Sequence, residues 1–203
     1  MLEIKDVFKS FGEKKVLGGV SLKVDGEAVA LMGESGGGKT TILRIIADLE
    51  KADGGEIIKT GKTAVAFAEP RLFDNVRVID NVTCVMPKEN GRQQNEKRAR
   101  ELLDSLLLGG AEHLYPRELS SGMAARVSLC RALAYGAENI VLDEPLRTLD
   151  EETKGAVIDV LKREFDGKSV IMITHDGADA MALCKRTVVL ADGKIREKTE
   201  DPE

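Results

Sequence analysis

A chain of 203 residues with a formal net charge of −5 and only 3% aromatic side chains can bury one good core, or a core plus a smaller subdomain, but not two large domains. That balance argues against a nucleic-acid surface, which needs a basic stripe and stacking platforms. Cys84, Cys130 and Cys184 are far apart and form no Cys-x-x-Cys pair, as expected of reduced thiols in a cytosolic protein. His113 and His175 are too few and too scattered for a zinc site. The first residues hold no apolar signal core, and no apolar run approaches the ~18 residues of a membrane span, so the chain is not expected to be a channel itself.

In chain order, residues 2–7 and 20–24 alternate apolar and polar side chains as half-buried strands do, with Gly12 and Gly18-Gly19 as punctuation. The chain is therefore expected to open with antiparallel β structure. Residues 27–32 form a short apolar run suited to a buried strand, and residues 41–49 alternate at helical spacing. Asp53-Gly54-Gly55 predicts a turn, followed by strands over 56–59 and 63–67, the second ended by Pro70. Between 71 and 135 the character changes. Ala99, Leu102, Leu103, Leu106 and Leu107 follow i, i+3, i+4, i+7, i+8 spacing with charges opposite, the pattern of a helical insert. From Asn139 an α/β rhythm returns, with strands expected over 140–142, 169–174 and 186–190 and a helix over 151–165 whose buried side is Val157, Val160, Leu161 and Phe165. Such alternation implies a largely parallel sheet covered by helices on both faces. Residues 197–203 are charged and expected to fray.

The stretch Gly33-Glu34-Ser35-Gly36-Gly37-Gly38-Lys39-Thr40-Thr41 lies between the buried strand and the helix. Glycines let backbone N–H groups turn inward around phosphates, and the following helix presents its positive end to them. Lys39 would neutralise phosphate charge and Thr40 would coordinate Mg²⁺, so the run implies a bound nucleoside triphosphate, ATP or GTP. Ile140-Val141-Leu142-Asp143-Glu144-Pro145 is an apolar strand ending in two carboxylates, at the sheet edge where ligands of open α/β sheets bind. Asp143 could hold Mg²⁺ through water and Glu144 could deprotonate an attacking water. Solvated strand ends also carry acids for no functional reason. Residues 170–175 deliver His175 to the same edge, where a neutral imidazole could donate to a γ-phosphate, although a lone histidine is more often structural. Leu119-Ser120-Ser121-Gly122-Met123 precedes a helical segment with Arg126 and Arg131. Ser120 or Ser121 would cap that helix, either as an ordinary N-cap or with its N–H groups facing an anion.

Taken jointly and in this order, these pieces resemble the ATP-binding cassette (ABC) ATPase family over nearly the whole chain. The phosphate loop resembles the Walker A motif, residues 140–144 Walker B with its catalytic glutamate, residues 119–123 the signature sequence, Leu149-Asp150 the D-loop, and His175 the switch histidine. Phe11, in Lys9-Ser10-Phe11-Gly12, falls where the family places an aromatic to stack on adenine; a small core aromatic is the other reading. The resemblance implies an α/β P-loop NTPase core with a mostly parallel sheet and an N-terminal antiparallel β subdomain (1–70 and 136–203), into which a helical subdomain carrying the signature (71–135) is inserted. It implies ATP and Mg²⁺ as cofactors, with Thr40 and Asp143 at the metal and Glu144, His175 and Lys39 in catalysis. It further implies two cassettes sandwiching two ATP molecules, with Ser120, Ser121, Gly122 and Met123 of one acting on the γ-phosphate held by the other. Permease subunits would complete the assembly on the cytoplasmic face of the membrane.

The segment Phe67-Ala68-Glu69-Pro70-Arg71-Leu72 is similar to importer ATPases for nitrate, sulfonates and taurine, in which Phe-Gln-Glu-Pro-Arg-Leu is typical. Ala68 replaces the glutamine that links the metal and water site to the membrane partner in the family. Ser121 stands where the family prefers glycine, and Met123 where it prefers glutamine. Ser121 adds a Cβ where backbone approaches phosphate, and Met123 offers no side-chain donor. Three readings therefore stand: the motor of a small-solute importer, a degenerate cassette that binds ATP and turns over slowly, and a phosphotransferase kinase built on the same loop.

Overall fold

Strand β3 (Ala28–Gly33) buries Ala28, Val29, Ala30 and Leu31 in succession, the signature of a central strand covered on both faces. The computed structural model places it inside a six-stranded sheet of order β5-β6-β7-β3-β8-β9, built with β5 (Thr63–Ala66), β6 (Asn139–Asp143), β7 (Ser169–Ile173), β8 (Arg186–Ala191) and β9 (Lys194–Glu197). Pairings β6/β7, β7/β3 and β3/β8 are parallel, while β9 returns antiparallel on β8. A second, antiparallel sheet has the order β2-β1-β4, from β1 (Leu2–Phe11), β2 (Lys14–Val24) and β4 (Gly54–Lys59). The expected α/β architecture, with its N-terminal antiparallel part and mostly parallel main sheet, is observed. Residues 1–197 are described by the structure; of the stretch expected to fray, residues 198–203 lie outside them.

By their internal contacts the described residues form two units. The first holds Met1–Val65, Glu138–Asp143 and the chain from Phe165 onward. In it α1 (Lys39–Ile46) packs on β3 and β6, and α6 (Gly177–Leu183) packs on β3 and β8. Helix α1 turns Ile42, Leu43, Ile45 and Ile46 inward at helical spacing. The two sheets are stitched where Gly18 N donates to the Gly193 carbonyl at 2.7 Å.

The second unit holds Ala66–Ala137 and Glu144–Glu164. Its helices are α2 (Val78–Thr83), α3 (Arg92–Ser105), α4 (Ser121–Ala134) and α5 (Glu151–Glu164). Val78, Val82, Ala99, Leu102, Leu103, Val127, Cys130 and Leu161 form its interior. Asn81, fully buried, receives the Phe73 N–H at 2.8 Å and donates to the carbonyls of Phe73, Val76 and Arg77. That one amide satisfies the backbone of the turn before α2. From the last turn of α4, Arg131 donates to the Pro70 and Arg71 carbonyls at 2.9 and 3.0 Å.

Local expectations fail at identifiable places. Gly18-Gly19 is no break, because β2 runs through it: Phe8 pairs with Gly18 across the ladder, and the missing Cβ of Gly19 leaves room for the Phe8 ring. Asp53-Gly54-Gly55 is not a separate turn, since Asp53 N donates to the Phe8 carbonyl at 2.9 Å and β4 already starts at Gly54. Phe67 falls one residue past the end of β5. Helix α3 stops at Ser105, Leu107 turns to φ +56° and is 52% exposed, and Leu108 takes the inward place expected of it. The left-handed residue reverses the chain, so helical spacing no longer applies. Strand β9 was not anticipated, although Asp192 and Gly193, both at positive φ, are the residues a two-residue hairpin turn requires.

Gly55 sits at φ +80° opposite the β1 irregularity at Asp6, and a Cβ there would collide with the carbonyl oxygens of Lys5 and Asp6. Gly55→Ala is expected to cost about 2–3 kcal/mol from backbone strain and overpacking. Calorimetric melting checks this: an unchanged Tm would mean that β1 and β4 have slack at this point.

Candidate nucleotide site

Three neighbouring parallel strands end at one edge of the main sheet. The register aligns Leu31 of β3 and Asp143 of β6 with Ile173 of β7. The chain then continues from β3 into the glycine-rich loop, and from β7 through Thr174 to His175. Thr174 is buried, its N–H donates to the Leu31 carbonyl at 3.3 Å, and its hydroxyl accepts the Asp176 N–H at 3.1 Å. His175 is thereby presented exposed at the tip. Asp143 is partly exposed at the end of β6.

The loop between β3 and α1 has the form of an anion cradle. Gly33, at φ +142°, runs so close to the Leu190 carbonyl of β8 that any Cβ would strike it, so the strand leaves the sheet on bare backbone. A turn follows, with Gly37 N donating to the Glu34 carbonyl at 3.1 Å. Helix α1 begins at Lys39 with no side-chain cap from any described residue, and its first turn carries no acid. The first N–H groups of the helix therefore point outward with their dipole unopposed. Lys39 folds back over this loop and donates to the Gly33 and Glu34 carbonyls at 2.7 and 2.8 Å. Thr40, exposed on the same turn, adds a hydroxyl, and a hydroxyl with a carboxylate is a donor set suited to a hard divalent cation. Gly38 lies against Val16 and Leu17 of β2. Phe11, at the hairpin end of β1, is 50% exposed, which disposes of the core-aromatic reading.

In the second unit Glu144 follows Asp143 at φ +50°, a left-handed conformation that costs a non-glycine residue of order 1–3 kcal/mol and persists where surrounding structure over-determines it. Ser120 is the N-cap of α4, its hydroxyl oxygen accepting the Met123 N–H at 3.2 Å; its own proton stays available to donate. Gly122 brings the first turn of α4 against the Thr148 carbonyl and Leu149, so the residues likened to a signature and to a D-loop are neighbours. Asp150 accepts the Thr153 N–H and hydroxyl, both at 2.9 Å, and caps α5. These hydrogen bonds, led by the backbone one and assisted by Arg126, hold its carboxyl below the usual aspartate range. Sequence reasoning attached no role to Arg126, which donates to the Gly122, Leu106 and Leu107 carbonyls and so fastens the start of α4 to the end of α3.

A glycine-rich loop running from a buried parallel strand into an uncapped helix, with an acid and a histidine at the same sheet edge, defines a P-loop nucleotide hydrolase. Comparison with known proteins narrows the class. The model of the ABC transporter family matches residues 17–147. The aliphatic sulfonates import ATP-binding protein SsuB of Corynebacterium glutamicum is 39% identical, the match covering 95% of this chain and 81% of that protein. The sulfate/thiosulfate import ATP-binding protein CysA of Vibrio cholerae is 35% identical, covering 97% of this chain and 57% of the other. Among solved structures, the dimeric bacterial ABC transporter cassette MJ0796 superposes with a TM-score of 0.88 at 30% identity over 100% of both chains. A post-hydrolysis dimer of that cassette bound to ADP and Pi gives a TM-score of 0.87, also at 30% identity. This chain belongs to the ABC transporter family, and it is an ATP-binding, ATP-hydrolysing subunit of that family, working with Mg²⁺.

Proposed function

We propose that the chain is the motor of a small-solute importer, seated on the cytoplasmic face of separate permease subunits and paired with a second cassette. The observation that carries this reading is the convergence of the uncapped α1 terminus, Asp143 and His175 on one sheet edge. Support for import comes from relatives named for the import of sulfonates and sulfate. Among the described residues no helix is long and apolar enough to cross a membrane, and membrane subunits would supply the path. Residues 71–135 would form the helical subdomain and residues 1–70 with 136–203 the core, although by their contacts residues 66–70, 136–137 and 144–164 group with the helices of the second unit.

In the proposed mechanism residues 33–41 (Gly33, Glu34, Ser35, Gly36, Gly37, Gly38, Lys39, Thr40 and Thr41) hold the phosphates by backbone N–H groups, and Phe11 stacks on adenine. Lys39 exchanges its two carbonyl acceptors for phosphate oxygens. Thr40 and Asp143 would hold Mg²⁺, which would supply charge neutralisation at the phosphates. Glu144 takes a proton from the attacking water, and His175 donates to the γ-phosphate. Ser120, Ser121, Gly122 and Met123 address the γ-phosphate of the opposing cassette, beside Asp150. Ala68, Ser121 and Met123 favour a second reading, a cassette that binds ATP and pairs but turns over slowly.

Light scattering of Glu144→Gln protein with and without ATP tests pairing. An ATP-dependent dimer is expected, and shows that the first turn of α4 works in trans despite Ser121 and Met123. A monomer that still binds ATP would overturn the self-pairing motor.

A further inference from the structure

Lys9 is a lysine only 8% exposed, an unusual place for an ammonium unless it is fully paired. It is fully paired. Its Nζ meets Glu50 Oε1 at 2.8 Å, the Lys51 carbonyl at 2.7 Å and Asp53 Oδ1 at 3.2 Å, one acceptor for each of its three protons. The hydrogen bond it donates to Glu50 is the main influence holding its pKa above the usual lysine value. The other oxygen of Asp53 accepts the Ser10 N–H at 2.7 Å. On the far side, the N–H groups of Leu49 and Glu50 donate to the Arg44 carbonyl in the last turn of α1. A continuous chain of bonds therefore runs from the helix that follows the phosphate loop to the strand residues just before Phe11.

The same Nζ stands 5.1 Å from the centroid of the Phe11 ring, within cation–π range. The ring itself remains half exposed. The β1/β2 ladder pairs Phe11 with Lys14 and Ser10 with Lys15, and Lys15 precedes Val16, which lies against Gly38 of the phosphate loop. An ammonium on one side of an aromatic ring draws its electron density toward that side and leaves the open face better matched to an electron-rich purine.

We propose that Lys9 is a positioning residue for the nucleotide base: bonded to the chain that leaves α1, it backs the Phe11 ring and fixes it as a platform whose open face takes the purine. This rests on the assignment of Phe11 to adenine made above. Lys9 acts on the base through Phe11 and leaves the phosphates to the loop.

The test is calorimetric titration of the full chain with Mg·ADP and, separately, Mg·pyrophosphate, using wild type, Lys9→Met, Lys9→Gln and Phe11→Ala. Loss of the cation behind the ring is expected to weaken ADP about five-fold and to leave pyrophosphate unchanged. Lys9→Gln keeps an amide donor for Glu50 while removing the charge, so it carries the result if Lys9→Met does not fold. Wild-type ADP affinity in the folded Lys9 variants would overturn the proposal, as would an equal loss for ADP and pyrophosphate, which marks a general strut. Phe11→Ala separates the two layers of the argument. If it leaves ADP affinity intact, Phe11 is no base platform; if it weakens ADP while the Lys9 variants do not, only the role of Lys9 falls.

Discussion

Lys39→Ala is expected to weaken ATP binding by at least about 100-fold, the loss of two charge-assisted hydrogen bonds at roughly 1.5–3 kcal/mol each. The size follows from where the side chain starts. Lys39 opens α1, and its Nζ already reaches across the loop to Gly33 and Glu34 at 2.7 and 2.8 Å. A triphosphate seated on the uncapped helix terminus would lie within the same reach, so the ammonium can change acceptors without moving the backbone. Alanine leaves the N–H groups and helix dipole in place but removes the only full positive charge in the loop sequence from Gly33 to Thr41. Binding measured by calorimetry decides the matter: wild-type affinity in a folded Lys39→Ala protein would remove this loop from the phosphate site.

Glu144→Gln is expected to separate binding from turnover. The amide keeps the size of the side chain and the left-handed backbone at φ +50°, but it cannot accept a proton from water. Hydrolysis should slow by about 10²–10⁴, the usual worth of a general base, while ATP affinity stays close to that of wild type. Phosphate release under saturating ATP is the measurement. A wild-type rate would take Glu144 out of the proton-transfer step and leave the chemistry to other groups at the sheet edge.

Much of the fold was legible because the parallel strands advertise themselves. Residues 28–31, 140–142 and 170–173 are continuous apolar runs, all buried, too short for a helix and bounded by turn-forming residues, which is what marks them as strands. The glycine-rich loop could be seen for the same local reason, since its conformation is written in residues adjacent in sequence. Trouble arose where a glycine's meaning depends on its partner strand. Gly18-Gly19 and Gly54-Gly55 look like turns alone, yet each lies inside a strand because β1 comes close on both sides, with the Phe8 ring against Gly19 and the Lys5 and Asp6 carbonyls against Gly55. Leu107 was misjudged because the end of α3 is a matter of one left-handed residue, invisible to periodicity. The paired state of Lys9 was beyond reach for a related reason: its acceptors lie more than 40 positions away and share no motif with it.

Helix α4 carries the Ser120–Met123 turn at its start and Arg131, with the Pro70 and Arg71 carbonyls, near its end. Its 14 residues make a rod about 20 Å long, without an internal proline or a described break. A push on the loop after β5 therefore arrives at Gly122 as rigid translation or tilt, with no flexible joint in between to absorb it. The guanidinium of Arg131 is what ties that loop to the rod.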